Sequence, residues 1–75
     1  MSRIVSDPGV LGGKPVIEGT RISVEFVLEL LASGMSETEI LEDYPHLTPE
    51  GLRGGLAYAA QVFHNEVYLE LDAAS

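Results

Sequence analysis

Two helix-start signals lie close together in the middle of this chain and constrain its fold more than any other feature. Ser36 and Glu39 have the spacing of a capping box, in which each side chain accepts a hydrogen bond from the other residue's backbone N–H. Thr48 followed by Pro49 marks a second start, because threonine is a good cap and proline fits the first helical position. Apolar residues flank both caps at the spacing of hydrophobic staples: Met35 with Ile40, and Leu47 with Leu52. The sequence therefore predicts a short helix, a tight turn and a longer helix.

A further helix is predicted ahead of this pair. Ser23 caps it, apolar residues then recur at helical spacing to about residue 33, and Gly34 supplies the left-handed residue that ends it. The middle helix spans about Glu37 to Asp43, because the proline at position 45 cannot continue it.

The last helix is predicted from Pro49 to about His64. Its apolar stripe consists of Leu52, Leu56, Ala59 and Phe63, widened by Tyr58 and Val62. Gly54 and Gly55 are its weak point, since each interior glycine costs about 1 kcal/mol relative to alanine, but they would let another backbone come close. Beyond it, residues 66–72 alternate carboxylate and apolar side chains, which fits either an exposed strand or one or two last helical turns.

The first 22 residues are rich in glycine and predict turns and short strands. We expect a small β-hairpin in which residues 15–17 pair with residues 21–22 across the loop Glu18-Gly19-Thr20, with Gly19 at positive φ. The open strand edges of such a hairpin favour pairing with a second copy, so we expect a homodimer.

The length and composition allow one small domain, covering residues 1–75. The sequence has no cysteine, which excludes disulfides and thiolate metal sites and fits a reducing cytoplasm. It shows no signal peptide and no run approaching the roughly 18 apolar residues of a membrane span. We therefore expect a soluble, cytoplasmic protein.

The charge is divided unevenly along the chain. Residues 1–21 hold Arg3, Lys14 and Arg21 against Asp7 and Glu18, a balance of +1, so the net charge of −8 leaves −9 for residues 22–75. An acidic helical part repels nucleic acid phosphates and favours a basic partner.

Helix, turn and longer helix are also the outline of a helix-turn-helix, whose second helix lies in the DNA major groove. A reading helix normally presents several basic or amide side chains near its start, whereas here Arg53 stands almost alone, and pairing with Glu50 is the favoured role for it. If DNA is bound, the candidate contacts are Arg3, Lys14, Arg21, Thr48 and Arg53.

No set of residues points to catalysis. His46 and His64 lack the spacing of a metal site, the serines and threonines fall at helix caps, and no nucleophile with a base emerges. Gly12-Gly13-Lys14 is not followed by the serine or threonine and the helix of a phosphate-binding loop. We expect a binding module, with no enzymatic activity, metal or cofactor.

Several runs together identify a family resemblance. They are Gly13-Lys14-Pro15-Val16-Ile17-Glu18-Gly19-Thr20-Arg21-Ile22, Leu31-Ala32-Ser33-Gly34-Met35-Ser36, Tyr44-Pro45-His46-Leu47-Thr48 and Leu56-Ala57-Tyr58-Ala59. The chain resembles the family known as domain of unknown function 433 from Ile4 to about Phe63. The resemblance implies a VapB-type antitoxin with a homeodomain-like helix-turn-helix, encoded beside a toxin that resembles a PIN-domain ribonuclease.

The expected fold is mainly α: a small three-helix, helix-turn-helix domain over residues 23–65, preceded by strands and turns in residues 1–22 and followed by a tail, 66–75. The expected function is that of a type II antitoxin that neutralises a PIN-like endoribonuclease and represses its own operon through DNA. The expected toxin contacts are Glu66, Tyr68, Glu70 and Asp72. A stand-alone helix-turn-helix regulator and a structural interaction module are the alternatives.

Overall fold

Three α-helices and one pair of very short strands form the part of the chain that the structure describes. The computed structural model describes the backbone of residues 3–9 and 11–74 and the side chains of residues 3–9 and 11–64. In chain order the elements are β1 (Ile4–Val5), β2 (Val16–Ile17), α1 (Val24–Ala32), α2 (Glu37–Asp43) and α3 (Pro49–Ala74). The predicted fold class, a mainly helical domain with a short N-terminal antiparallel β-pair, is confirmed.

All three helices begin at the predicted caps. The Ser23 hydroxyl accepts a hydrogen bond from the Phe26 N–H at 2.9 Å, and the Thr48 hydroxyl accepts one from the Gly51 N–H at 3.0 Å. In the capping box, the Ser36 N–H donates to the Glu39 carboxylate at 2.9 Å and the Glu39 N–H donates to the Ser36 hydroxyl at 3.1 Å. These bonds satisfy backbone donors that the helices themselves leave unpaired.

The turn between α1 and α2 is fixed at both ends. Gly34 has a φ of 101°, and its N–H donates to the Leu31 carbonyl at 3.0 Å while the Met35 N–H donates to the Leu30 carbonyl at 3.2 Å. This pair of bonds is a Schellman motif, which needs the left-handed residue that glycine supplies.

The strand pairing differs in one respect from the predicted hairpin. β2 pairs in antiparallel register with β1, Ile4 opposite Ile17 and Val5 opposite Val16. The predicted return at residues 21–22 is not a strand. The segment that follows β2 is joined to it by an isolated bridge, Val16 with Ser23, and by two hydrogen bonds of 3.0 Å, from the Ile17 N–H to the Ile22 carbonyl and from the Val24 N–H to the Pro15 carbonyl. The return is short because the chain enters α1 at Val24, so β2 takes its ladder partner from β1.

The core joins β2 to all three helices. Ile17, Val27, Ile40, Leu47 and Leu52 form one buried cluster, so three of the four predicted staple residues belong to it, and Met35 packs against it. Ile17 is only 1% exposed and lies against Gly51 and Gly55 of α3. The sequence predicts that a backbone comes close to α3 at Gly54 and Gly55. In the structure it is the Ile17 side chain of β2 that comes close, at Gly51 and Gly55.

α3 is longer than predicted. It continues beyond residue 64 to Ala74, so of the two alternatives for residues 66–72 the helical one holds. Among residues 49–64, whose side chains are described, Ala59 is the last buried residue and Phe63 is 52% exposed. No helix in the described part of the chain combines the length and apolarity that crossing a membrane requires.

Candidate binding surfaces

The basic residues near the amino terminus are partly neutralised by neighbouring carboxylates. Arg3 Nε lies 3.8 Å from Glu18 Oε2, and Lys14 Nζ lies 3.2 Å from Glu25 Oε2. Both pairs are well exposed and therefore contribute little to stability. They nevertheless reduce the positive potential that Arg3 and Lys14 would offer to a phosphate.

Arg21 and Arg53 differ from Arg3 and Lys14 in their charge environment. Within the described part of the chain, no carboxylate lies within 4.0 Å of either guanidinium group. The predicted ion pair between Arg53 and Glu50 is therefore not formed. Both arginines are exposed and carry charges that a partner could meet.

Four of the five candidate DNA contacts line three different grooves. Arg21 lies by the end of α2, whereas Arg53 shares a groove with Glu37 at its start. A helix of seven residues separates these ends by about 10 Å. Thr48 does share a groove with Arg3, but its hydroxyl already serves as the cap of α3.

A cleft with a volume of about 610 Å³ lies between two turns. One wall is the turn of residues 19–22, between β2 and α1; the other is residues 43–46, at the end of α2. Arg21, Asp43 and His46 supply its ionisable groups, and Ile22 and Tyr44 supply half-buried apolar surface. We call it the Arg21 cleft.

Internal hydrogen bonds hold the first wall of the Arg21 cleft. The Thr20 hydroxyl donates to the Ile17 carbonyl at 2.7 Å and accepts from the Ile22 N–H at 3.0 Å. The Thr20 N–H donates to the same Ile17 carbonyl, and Gly19 has a φ of 83°, which a side chain would disfavour. Thr20 therefore fixes the turn, and Arg21 is left free for contact.

The second wall is braced by aromatic packing. The Tyr44 ring meets Phe26 of α1 edge to face, with 5.6 Å between ring centroids. The Tyr44 carbonyl also accepts a hydrogen bond from the Leu47 N–H at 2.9 Å. The cleft thus stands on fixed elements on both sides.

A second groove, of about 420 Å³, adjoins the Arg21 cleft. The two share Gly19, Thr20 and His46, and the second groove continues toward Arg3 and Thr48. We call the two adjoining grooves together the depression; Arg21 lines one part of it and Arg3 the other.

Exposed aromatic side chains mark a different surface. Tyr58 and Phe63 of α3 are 37% and 52% exposed. The predicted toxin contacts Glu66, Tyr68, Glu70 and Asp72 lie outside the described side chains, although their backbone belongs to α3.

The Arg21 cleft was not predicted from the sequence. The runs Gly19-Thr20-Arg21 and Tyr44-Pro45-His46 were both singled out, but only the fold brings them face to face. His46 was weighed as a metal ligand; no group of three or more potential ligand side chains occurs in the described part of the chain.

Comparison with known proteins agrees with the resemblance seen in the sequence. The family model described as "Protein of unknown function (DUF433)" matches residues 4–59. The chain belongs to the DUF433 family. The chain is also 41% identical over 56 residues to the uncharacterized protein y4eO of Sinorhizobium fredii; the match covers 75% of the chain but only 25% of that relative.

A solved DUF433 structure has the same fold. The crystal structure of a DUF433 member from Anabaena variabilis ATCC 29413 superposes with a TM-score of 0.75 at 33% identity, covering 96% of this chain and 68% of that one. The DUF433 family match includes both walls of the Arg21 cleft and ends at Ala59, the last residue of α3 described as buried. Residues 60–74 of α3 extend beyond it.

Proposed function

We propose that this DUF433 chain is the antitoxin of a type II toxin–antitoxin pair, a binding module without catalytic activity. Its partner is a PIN-like endoribonuclease, which it neutralises by direct contact in the cytoplasm. The proposal draws on the VapB-type resemblance, which the DUF433 match itself does not carry, and on the surface of α3.

The observation that carries the proposal is the length of α3. The helix continues for fifteen residues past Ala59, and within its described side chains Phe63 is half exposed. An isolated helix of about 12–15 residues is marginal in water, and most helices are stabilised by packing an apolar face. A helical extension with an exposed phenylalanine therefore suits a segment that packs on a partner.

The charge distribution supports a basic partner surface. Residues 22–75 carry −9, and no lysine or arginine follows Arg53. In this mechanism the extension, with Glu66, Tyr68, Glu70 and Asp72, covers a nuclease site that uses its own carboxylates to hold Mg²⁺. Steric block or competing carboxylates would each stop the nuclease.

Repression of its own operon is a second candidate function, favoured by the unpaired guanidinium groups of Arg21 and Arg53. It requires a homodimer whose two α3 helices lie about 34 Å apart, one turn of DNA. The affinity for DNA upstream of the operon should fall steeply as the salt concentration rises. In the Arg53→Gln variant the affinity should depend less on salt, because one phosphate contact is lost. A salt-independent affinity would remove this candidate.

Neutralisation by a shortened chain tests the main proposal. A chain ending at Asn65 keeps every residue described as buried but lacks the predicted contacts. It should fold, as judged by circular dichroism, and fail to inhibit the ribonuclease. Full inhibition by this chain would exclude the extension as the inhibitory element.

A further inference from the structure

We propose that the Arg21 cleft and its adjoining groove form a second protein-binding site, which takes an extended peptide segment with alternating acidic and apolar side chains. This site is separate from α3 and does not depend on the antitoxin role.

The presence of two adjoining grooves favours a chain over a compact molecule as the ligand, because a chain can occupy both. A cleft of about 610 Å³ lies within the usual range for ligand sites, and the groove of about 420 Å³ extends it past Gly19 and Thr20. An extended peptide rises about 3.3 Å per residue, so a few residues would pass from one part to the other. Its alternate side chains face one side, which allows two of them to enter the two parts.

The charges identify the polar side chains of the segment. Arg21 has no carboxylate partner within the described part of the chain, and guanidinium groups bind carboxylates through paired hydrogen bonds. Arg3, in the adjoining groove, is 3.8 Å from an exposed Glu18 carboxylate, a loose contact that a better acceptor can replace. Two carboxylates on one side of the peptide would meet these two arginines.

Asp43 decides between a peptide and a nucleic acid. It lines the Arg21 cleft opposite the turn that carries Arg21. Asp43 repels the acidic side chains of a peptide as it repels phosphates, but a peptide also offers backbone N–H donors to this carboxylate, which a phosphate backbone lacks. The net charge of −8 opposes an acidic ligand at long range, but this repulsion is screened over about 8 Å at physiological salt.

The apolar part of the site explains the alternation. Ile22 and Tyr44 are half-buried in the cleft walls. Because Thr20 fixes one wall and Phe26 braces the other, these surfaces need no rearrangement to receive an apolar side chain.

Fluorescence anisotropy with three labelled peptide pools tests the site. The pools are eight residues long, blocked at both termini, and alternate mixed leucine, valine and phenylalanine with glutamate, glutamine or lysine. We expect the glutamate pool to bind best and Arg21→Gln to weaken it at least about tenfold, the loss of a charged hydrogen bond. Arg53→Gln is the matched control, an exposed arginine outside the depression, and should bind as the unaltered chain does.

Three results would overturn the inference: no binding of the glutamate pool, equal binding of the glutamine pool, or an equal loss in both arginine variants. Displacement of the peptide by DNA would assign Arg21 to phosphate contact and would also overturn it. In an NMR titration, the amides of Gly19 and His46 should shift while that of Gly34, in the α1–α2 turn, should not. Ribonuclease neutralisation by Arg21→Gln is measured separately, so either proposal can fail alone.

Discussion

Ile17 occupies the space that a side chain at Gly51 would need. A Cβ atom built on Gly51 would lie 3.1 Å from Cγ2 of Ile17 and 3.2 Å from the Thr48 hydroxyl, and one on Gly55 would lie 3.3 Å from Cδ1 of Ile17. These two glycines stand one turn apart on α3, so together they make the shallow face on which β2 packs. The β-pair, and with it the turn that carries Arg21, is positioned by this contact.

Replacing Gly55 with alanine should destabilise the protein, although alanine is the better helix former by about 1 kcal/mol. The added methyl would press on a buried isoleucine, and overpacking a core costs about 1–3 kcal/mol. We expect Gly55→Ala to lower the free energy of unfolding by about 1 kcal/mol in urea titrations. Ile17→Val removes the Cδ1 atom concerned, so the double variant should be more stable than the sum of the single effects predicts. Strict additivity would mean that the two residues do not interact.

The capping box of α2 should contribute a pH-dependent stability. Two hydrogen bonds lower the pKa of the Glu39 carboxylate below its usual 4.5: the larger effect comes from the Ser36 backbone N–H and the smaller from the Ser36 side chain. A lowered pKa in the folded state favours folding above the unfolded pKa, and this contribution is lost as the pH falls through the folded value. Glu39→Gln keeps an acceptor but cannot titrate, so the stability of the unaltered chain should fall more than that of the variant below about pH 4.5. Parallel curves from pH 7 to pH 3 would contradict this.

The Ser23 cap at the start of α1 should contribute more to stability than the Ser33 hydroxyl at the end of that helix. Ser23 is buried and its oxygen is the acceptor for the Phe26 N–H, so Ser23→Ala should lower the free energy of unfolding by about 1–2 kcal/mol. Ser33→Ala is the control: its exposed hydroxyl donates to the Leu30 carbonyl, which water can satisfy instead. We expect that change to stay within about 0.5 kcal/mol. Similar losses in the two variants would contradict the assignment of Ser23 as the cap.

Phe63 should affect partner binding without affecting the fold. Because its side chain is 52% exposed, Phe63→Ala should change the free energy of unfolding by no more than about 0.5 kcal/mol. If α3 binds the toxin here, affinity for the toxin should fall at least about tenfold, as for a contact that costs more than 1 kcal/mol. Leu11→Ala, another change to a half-exposed apolar side chain but in the N-terminal loop, should leave the affinity unchanged. Equal affinities in surface plasmon resonance for all three chains would exclude Phe63 as a contact.

The helices could be predicted from the sequence because their starts and stops depend on neighbouring residues. Ser23, the Ser36–Glu39 box and Thr48 act within one helical turn, so the residue types alone identify them. The same holds for Gly34, whose left-handed conformation follows from its place after α1. The apolar pattern predicts that α3 ends at about His64, whereas the helix continues to Ala74. Among the described side chains of α3, none after Ala59 is buried.

Contacts between distant segments could not be predicted in this way. Ile4-Val5 is one of the short apolar pairs that predict strands in the first 22 residues, but its pairing with β2 depends on the fold. The sequence marks Gly54 and Gly55 as weak points of α3, whereas in the fold Gly51 and Gly55 make room for Ile17. The Arg21 cleft likewise depends on two turns that are far apart in the chain, and the pattern within either turn contains no sign of the other.

The antitoxin assignment is tested most directly by affinity purification of the tagged chain from its native cells at moderate salt, with the captured proteins identified by mass spectrometry and assayed for ribonuclease activity. We expect a stoichiometric small nuclease that is inactive in the complex and becomes active when the chain is removed. Recovery of the chain alone, or only together with DNA, would contradict that assignment and favour a regulator.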